Sequence, residues 1–186
     1  MHVMIDIETM STQANASIFQ IGAMAFEFAS GGKVYNSKGF QSWINLQSSL
    51  DAGLDINAST VAWWMTQDKN ARMDASVGMQ YGPSLSVALD GLDRWISDRF
   101  DGENWETVEG IWAKPITFDI TILTSAYQAL GRETPWHWRS ARDLRTLFHC
   151  AGGEPGMMFE GTPHNALDDC EHQICQLQMA LQQMGA

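Results

Sequence analysis

The sequence holds no apolar run near the roughly 20 residues that a membrane-spanning helix requires. Its first residues, strand-like over 2–7, lack the basic-then-apolar pattern of a secretory signal. Together these absences predict a soluble, cytoplasmic protein with no membrane partner. Cysteine is scarce: Cys150, Cys170 and Cys175 are an odd number, with no CxxC pair and no histidine at zinc-finger distance. Buried, reduced thiols are the expectation. Positive charge is scarce too, with 11 Lys and Arg against 22 Asp and Glu, a net charge of −11. That argues against a protein that coats long nucleic acid through a basic stripe. It does not exclude an enzyme that grips a few nucleotides through metal ions, because acids gathered around divalent cations form an anion-binding site once loaded.

What is present is the make-up of an ordinary globular chain, 45% apolar and 18% charged over 186 residues. This suits a single domain over 1–186 with a core of its own. Eight tryptophans and eleven methionines are expected to serve mainly that core. Residues 1–8 alternate about an apolar centre and predict a strand, and 18–29 predict a second. Gly31-Gly32 predicts a turn and 34–46 a returning strand. Helical periodicity follows over 59–68 and 83–100, the latter with Leu85, Leu89, Leu92 and Ile96 on one face. A short strand is expected over 108–113. Thr117 is placed to cap a helix that runs to Leu130 and stops at Gly131. Residues 143–150 predict a short helix, 152–161 a mobile glycine-rich loop, and 165–184 a final helix. A three-strand meander followed by alternating helices and strands predicts an α/β fold, a mixed sheet flanked by helices.

Asp6 and Glu8 stand two apart on the first strand, so alternation puts both on one side, about 6–7 Å apart along the backbone. Val3, Ile5 and Ile7 take the other side. Paired carboxylates on a central strand repel each other and are costly to desolvate. A divalent cation relieves both problems; a solvated strand end is the alternative. Asp119 shares a helix face with Ile122, Leu123, Ala126 and Leu130. An acid is thus aimed inward in the first turn, where the helix dipole favours it. On the last helix, Leu167, Cys170, Ile174, Leu177, Leu181 and Met184 define the expected buried stripe. At about 100° per residue, Asp168 falls roughly 150° from its centre, His172 about 170° and Asp169 about 110°. Asp168 and His172 are therefore expected to face water and Asp169 to flank an adjoining site. His164 precedes that helix, beside Pro163 and five residues before Asp169.

These residues together resemble the DEDDh exonucleases, which include ribonuclease T, oligoribonuclease and the proofreading subunits of DNA polymerases. The strand motif D-x-E-T is matched by Asp6-Ile7-Glu8-Thr9, the helix-start motif F-D by Phe118-Asp119, and H-x4-D by His164 through Asp169. Ile18-Phe19-Gln20-Ile21-Gly22-Ala23 looks like the family's second strand. Trp63-Trp64, Pro135-Trp136 and Arg142-Asp143-Leu144-Arg145-Thr146 resemble a subgroup with phage exonuclease A and the mycobacterial poly(A)-preferring ribonuclease. One departure is Lys114-Pro115, where many relatives carry asparagine or glycine in the approach to F-D.

The resemblance covers nearly the whole chain and implies a ribonuclease H-like fold with two bound ions, Mg²⁺ or Mn²⁺. It implies release of nucleoside monophosphates from a single-stranded 3′ end, RNA favoured over DNA, by a protein that can pair as a homodimer. By the same resemblance Asp6 bridges both ions, Glu8 and Asp169 hold the first, and Asp119 acts near the second. His164 is the general base, carried in by the 152–161 loop when substrate binds. Thr9 and Met10 lie where the terminal nucleotide enters. Trp63, Trp64, Trp136 and Phe118 stack on bases, with core packing the alternative for each. Arg142 and Arg145 reach phosphate or pair with acids such as Asp143. Two further functions stay open from sequence: a DNA-specific exonuclease, and a non-catalytic nucleic-acid-binding protein of the same fold. Against the second, none of the acids is missing, nor is the histidine.

Overall fold

The centre of the molecule is a 12-residue strand paired along its length, β2 (Ile18–Ala29), lying beside β1 (His2–Thr9). The computed structural model describes residues 1–29, 33–36, 39–99, 105 and 108–185. β1 runs antiparallel to β2 and parallel to β5 (Gly110–Ala113), which in turn pairs parallel with β6 (Ala141–Asp143). β3 (Lys33–Asn36) and β4 (Phe40–Trp43) pair antiparallel with opposite ends of β2. The resulting order is β3-β2-β1-β5-β6, with β4 beside β2. The expected strand over 34–46 is therefore two strands, and Leu46 already belongs to a helix, α1 (Leu46–Asp51), which Asn45 caps by accepting the Ser48 N–H. The Gly31-Gly32 turn lies outside the described residues.

Alternation on β1 sorts the two layers. Val3, Ile5 and Ile7 join a core with Leu85, Leu89, Leu92 and Ile96 of α4 (Leu85–Arg99) and Ile122, Leu123 and Ala126 of α5 (Ile116–Ala129). Met4 faces the opposite layer, made by α6 (Leu144–Cys150) and α7 (Ala166–Met184). A third cluster of Met10, Phe19, Trp64 and Ala75 lies under α2 (Ala58–Trp64) and α3 (Lys69–Tyr81). No helix among the described residues is long and apolar enough to cross a membrane.

α3 was not legible in the sequence because small residues carry its buried face. Ala71, Ala75 and Gly78 point inward, while Met73, Val77 and Tyr81 are exposed. A Cβ on Gly78 would lie 2.2 Å from the Trp43 ring, so only glycine lets the helix approach. The cap assigned to Thr117 is also corrected. α5 begins at Ile116, whose N–H donates to the Asp143 carboxylate at 2.9 Å, and Thr117 is an exposed first-turn residue. Asp143 accepts the Thr146 N–H as well and so starts α6 too.

α7 is rotated from its expected register. Cys170, Ile174 and Leu177 are buried, but so are Gln173 and Gln176, while Met184 is exposed. Asp168 does not face water: it is half-buried and accepts the Thr162 N–H at 2.8 Å. His172 is half-buried against Phe159. Among the cysteines only Cys170 is buried; Cys150 and Cys175 are exposed.

Candidate active site

β5 pairs with β1 only through His2–Met4. Further along, the Ile7 N–H is met by the side chain of Asp119, whose Oδ1 accepts it at 3.2 Å. This bond, made from the first turn of α5, carries a fully buried acid over the end of the sheet toward Asp6 and Glu8. Those two project from the other side of β1, under the start of α7. Gly22, paired with Asp6 on β2, permits that closeness, since a Cβ there would lie 2.3 Å from the Ala166 backbone. Gln20, paired with Glu8, docks the helix end by accepting the Ala166 N–H at 3.1 Å.

Ligand oxygens of Asp6, Glu8 and Asp169 lie within 4.8 Å of one another. The His164 backbone lies close enough to Asp169 to hold its carboxyl down, which places the histidine loop beside the acids. His164 has φ 64°, a left-handed conformation. Its Nδ1 is 3.8 Å from Glu8 Oε1, and its ring meets those of Trp63 and Trp64 edge-on at 5.1 and 5.7 Å. All four acids and the histidine named from sequence thus converge on one end of the sheet.

The electrostatics are those of crowded acids. Burial, then the charges of Asp119, Glu8 and Asp169, pushes the Asp6 carboxyl well above its ordinary range. Glu8 is raised in the same way by burial and by Asp169 and Asp119. Burial lifts Asp119 to about 7 and Asp169 to about 6. Burial lowers His164 below its usual value. The Oδ2 atoms of Asp119 and Asp169 are buried without a hydrogen-bond partner among the described residues. Hard oxygen donors left unsatisfied in a cluster of acids suit a divalent cation.

Beside the acids opens a pocket of about 460 Å³ lined by Ile7, Glu8, Thr9, Thr12, Ser59, Thr60, Trp63, Trp64 and Phe118. Trp63 is 45% exposed and Trp64 only 5%, its Nε1 donating to the Thr9 carbonyl at 3.0 Å. Met10 is not among the lining residues; its side chain is buried with Phe19 and Trp64 behind the pocket wall. Trp136 is a core residue, packed on Trp105 and Tyr127, and does not line the pocket. Arg142 is occupied by the carbonyls of Arg139, Ala141 and Glu109. Asp143 serves backbone N–H groups, so no Arg142–Asp143 pair forms. Arg145 is exposed on α6, close enough for its charge to counter the upward shift of Asp119.

Two residues of this site escaped sequence reasoning. Gln173 donates to Asp6 Oδ1 at 2.8 Å, and Gln20 anchors α7. The spacing of Gln173 four residues after Asp169 was the available signal, since that places both on one helix face.

Residues 1–181 match the family described as the 3'-5' exoribonuclease Rv2179c-like domain. The chain belongs to that family. This exoribonuclease domain is similar to the solved cell-death related nuclease 4 (CRN-4), with TM-score 0.68 and 15% identity over 99% of its own length and 64% of that chain. It therefore spans less than two thirds of that relative. It is also similar to a full-length 3'-exonuclease (TM-score 0.59, 12% identity, 98% of this chain and 82% of that one). A third likeness is to exonuclease X, solved with 5' overhanging duplex DNA (TM-score 0.55, 14% identity, 100% and 94%). At these identities the likeness carries the fold, the ribonuclease H-like α/β sheet that the sequence motifs implied. No curated protein matches the chain. The family is described as one of 3'-5' exoribonuclease domains, and membership implies dependence on a divalent metal.

Proposed function

We propose that this domain removes nucleotides one at a time from the 3′ end of single-stranded RNA, releasing nucleoside monophosphates. Asp6, Glu8, Asp119 and Asp169 hold two divalent cations, and His164 is the general base. The observation that carries the reading is the meeting of Asp6, Glu8 and Asp169 oxygens within 4.8 Å, with His164 Nδ1 3.8 Å from Glu8. When bound, such ions activate water and stabilise charge on the attacking and leaving oxygens of an in-line displacement.

The chain's own residues do the rest. Asp6 has one oxygen fixed by Gln173 and lies among the charges of Asp119, Glu8 and Asp169, where it would help to hold the cations. Glu8 and Asp169 bring oxygens within 4.8 Å of it. Asp119, with Oδ1 committed to Ile7, has Oδ2 free to act as a ligand. His164, held below its ordinary pKa by burial, is neutral at pH 7 and able to accept a proton. The pocket takes the terminal nucleotide, its base against Trp63 and Phe118 and its sugar beside Thr9 and Glu8. Met10 supports that wall from behind.

Digestion of 3′-labelled RNA and DNA strands of one sequence, with Mg²⁺, Mn²⁺ or EDTA and beside Asp6→Ala, tests the reading. Metal-dependent release of labelled mononucleotide, faster from RNA and lost in Asp6→Ala, is expected. Faster release from DNA would sink the RNA preference. Release that survives EDTA or Asp6→Ala would sink the metal-dependent mechanism.

A further inference from the structure

We infer that Gln173 is a positioning residue for Asp6: its side-chain amide, presented from α7, sets the orientation in which Asp6 meets divalent cations. The inference rests on the proposal that Asp6 is a metal ligand.

Gln173 is 6% exposed and donates Nε2 to Asp6 Oδ1 at 2.8 Å. A glutamine so deep on a helix usually has both ends of its amide satisfied. Here Oε1 is buried without a partner among the described residues. An unmade bond of that kind is destabilising. The amide is therefore held for the sake of its donor end. Turning it over would set Oε1 against a carboxylate oxygen, so the assignment of nitrogen to the Asp6 side follows from the acceptor it faces.

The chemistry of the donor matters. A lysine or arginine there would orient Asp6 equally well, but its charge would compete with the cations for the carboxylate. A neutral amide occupies one direction on Oδ1 and leaves Oδ2 and the remaining Oδ1 lone pair open. It also couples the two ligand-bearing elements. Asp169 and Gln173 sit one turn apart on α7, and between them Cys170 directs its thiol to the Met4 carbonyl of β1 at 3.7 Å. The helix that supplies one acid thus fixes the rotamer of another on the central strand.

Gln173→Met keeps length and volume but removes the donor; Gln173→Asn keeps the amide but cannot reach. Gln176→Met is the matched control. Gln176 is buried one turn further along α7 and bonds to Glu154 and the Pro155 carbonyl instead. Mg²⁺ and Mn²⁺ binding to the full chain without substrate would be read by calorimetry, and Mg²⁺ half-saturation by RNA digestion. Both Gln173 variants should bind metal about 10-fold more weakly, the scale typical of lost outer-shell hydrogen bonds. KM for RNA at saturating Mg²⁺ should not change, and Gln176→Met should bind metal as wild type does. Wild-type metal affinity in the Gln173 variants overturns the inference, as does equal weakening in Gln176→Met. If Gln173→Met does not fold, Gln173→Asn decides alone. Asp6→Ala in the same titration keeps the premise separate: loss of metal binding upholds it, and undiminished binding removes the premise and the inference together.

Discussion

Replacing Asp119 with asparagine separates the cost of burying a carboxylate from its use. Asparagine keeps the oxygen that accepts the Ile7 N–H and removes the charge. Burial raises the Asp119 carboxyl from 3.8 to about 7. Between those values the folded chain holds a proton that the unfolded chain has lost, so without metal its stability falls as pH rises through that window. Each pH unit of difference is worth about 1.4 kcal/mol, so one such group acting alone would cost on the order of 4 kcal/mol by pH 8. Asp6, Glu8 and Asp169 share the titration, so the variant should recover only part of this, about 1–4 kcal/mol, or roughly 3–12 °C in Tm for a chain of this size. Melts in EDTA at steps from pH 4.5 to 8 should show the two proteins alike in acid and Asp119→Asn increasingly the more stable toward pH 8. Added Mg²⁺ should then raise wild type more than the variant. An asparagine variant no more stable than wild type at pH 8 in EDTA, or one whose advantage does not grow with pH, would refute the reasoning.

Further tests address other parts of the site. His164→Ala should lower kcat by roughly 10²–10⁴, with calorimetric Mg²⁺ binding retained; loss of metal binding would contradict the assigned role. Trp63→Ala should weaken RNA binding by about 1–3 kcal/mol, read as a raised KM, at nearly unchanged Tm. Trp64→Ala should instead cost about 3–5 kcal/mol of stability in denaturant melts, because that ring is core. Gly22→Ala forces α7 off β2, and both Tm and kcat should fall, with about 1–3 kcal/mol lost from overpacking; a variant with normal activity would show that the Gly22–Ala166 contact does not set the spacing of Asp6 and Asp169.

The site was more legible in the sequence than its surroundings. Asp6 and Glu8 were readable because strand alternation is strict, and Asp119 because its helix face is otherwise apolar. Asp169 was chosen over Asp168 by the angular position of a stripe that itself proved to be rotated. With that rotation it is Asp169 whose carboxylate lies within 4.8 Å of the Asp6 and Glu8 oxygens. The same rotation buried Gln173 and Gln176, which hydropathy reads as surface, because their amides have acceptors in the acids and in the Pro155 carbonyl. α3 was missed because alanine and glycine carry no apolar period. β6 was missed because three residues give no alternation to read. Trp136 and Trp64 could not be told from Trp63 by type. Only the partners distinguish them: Asp93 holds the Trp105 and Tyr127 cluster that encloses Trp136, whereas one ring of the Trp63-Trp64 pair remains open to solvent.

The backbone at His164, with φ 64°, sets function against robustness. Glycine and asparagine occupy that conformation with least strain, whereas a histidine there costs on the order of 1 kcal/mol. A screen that rewarded only heat tolerance would be drawn to His164→Asn, which relieves the strain and removes the proposed base. On the role proposed for His164, the residue that the chemistry needs at position 164 and the residue that the backbone there prefers are not the same.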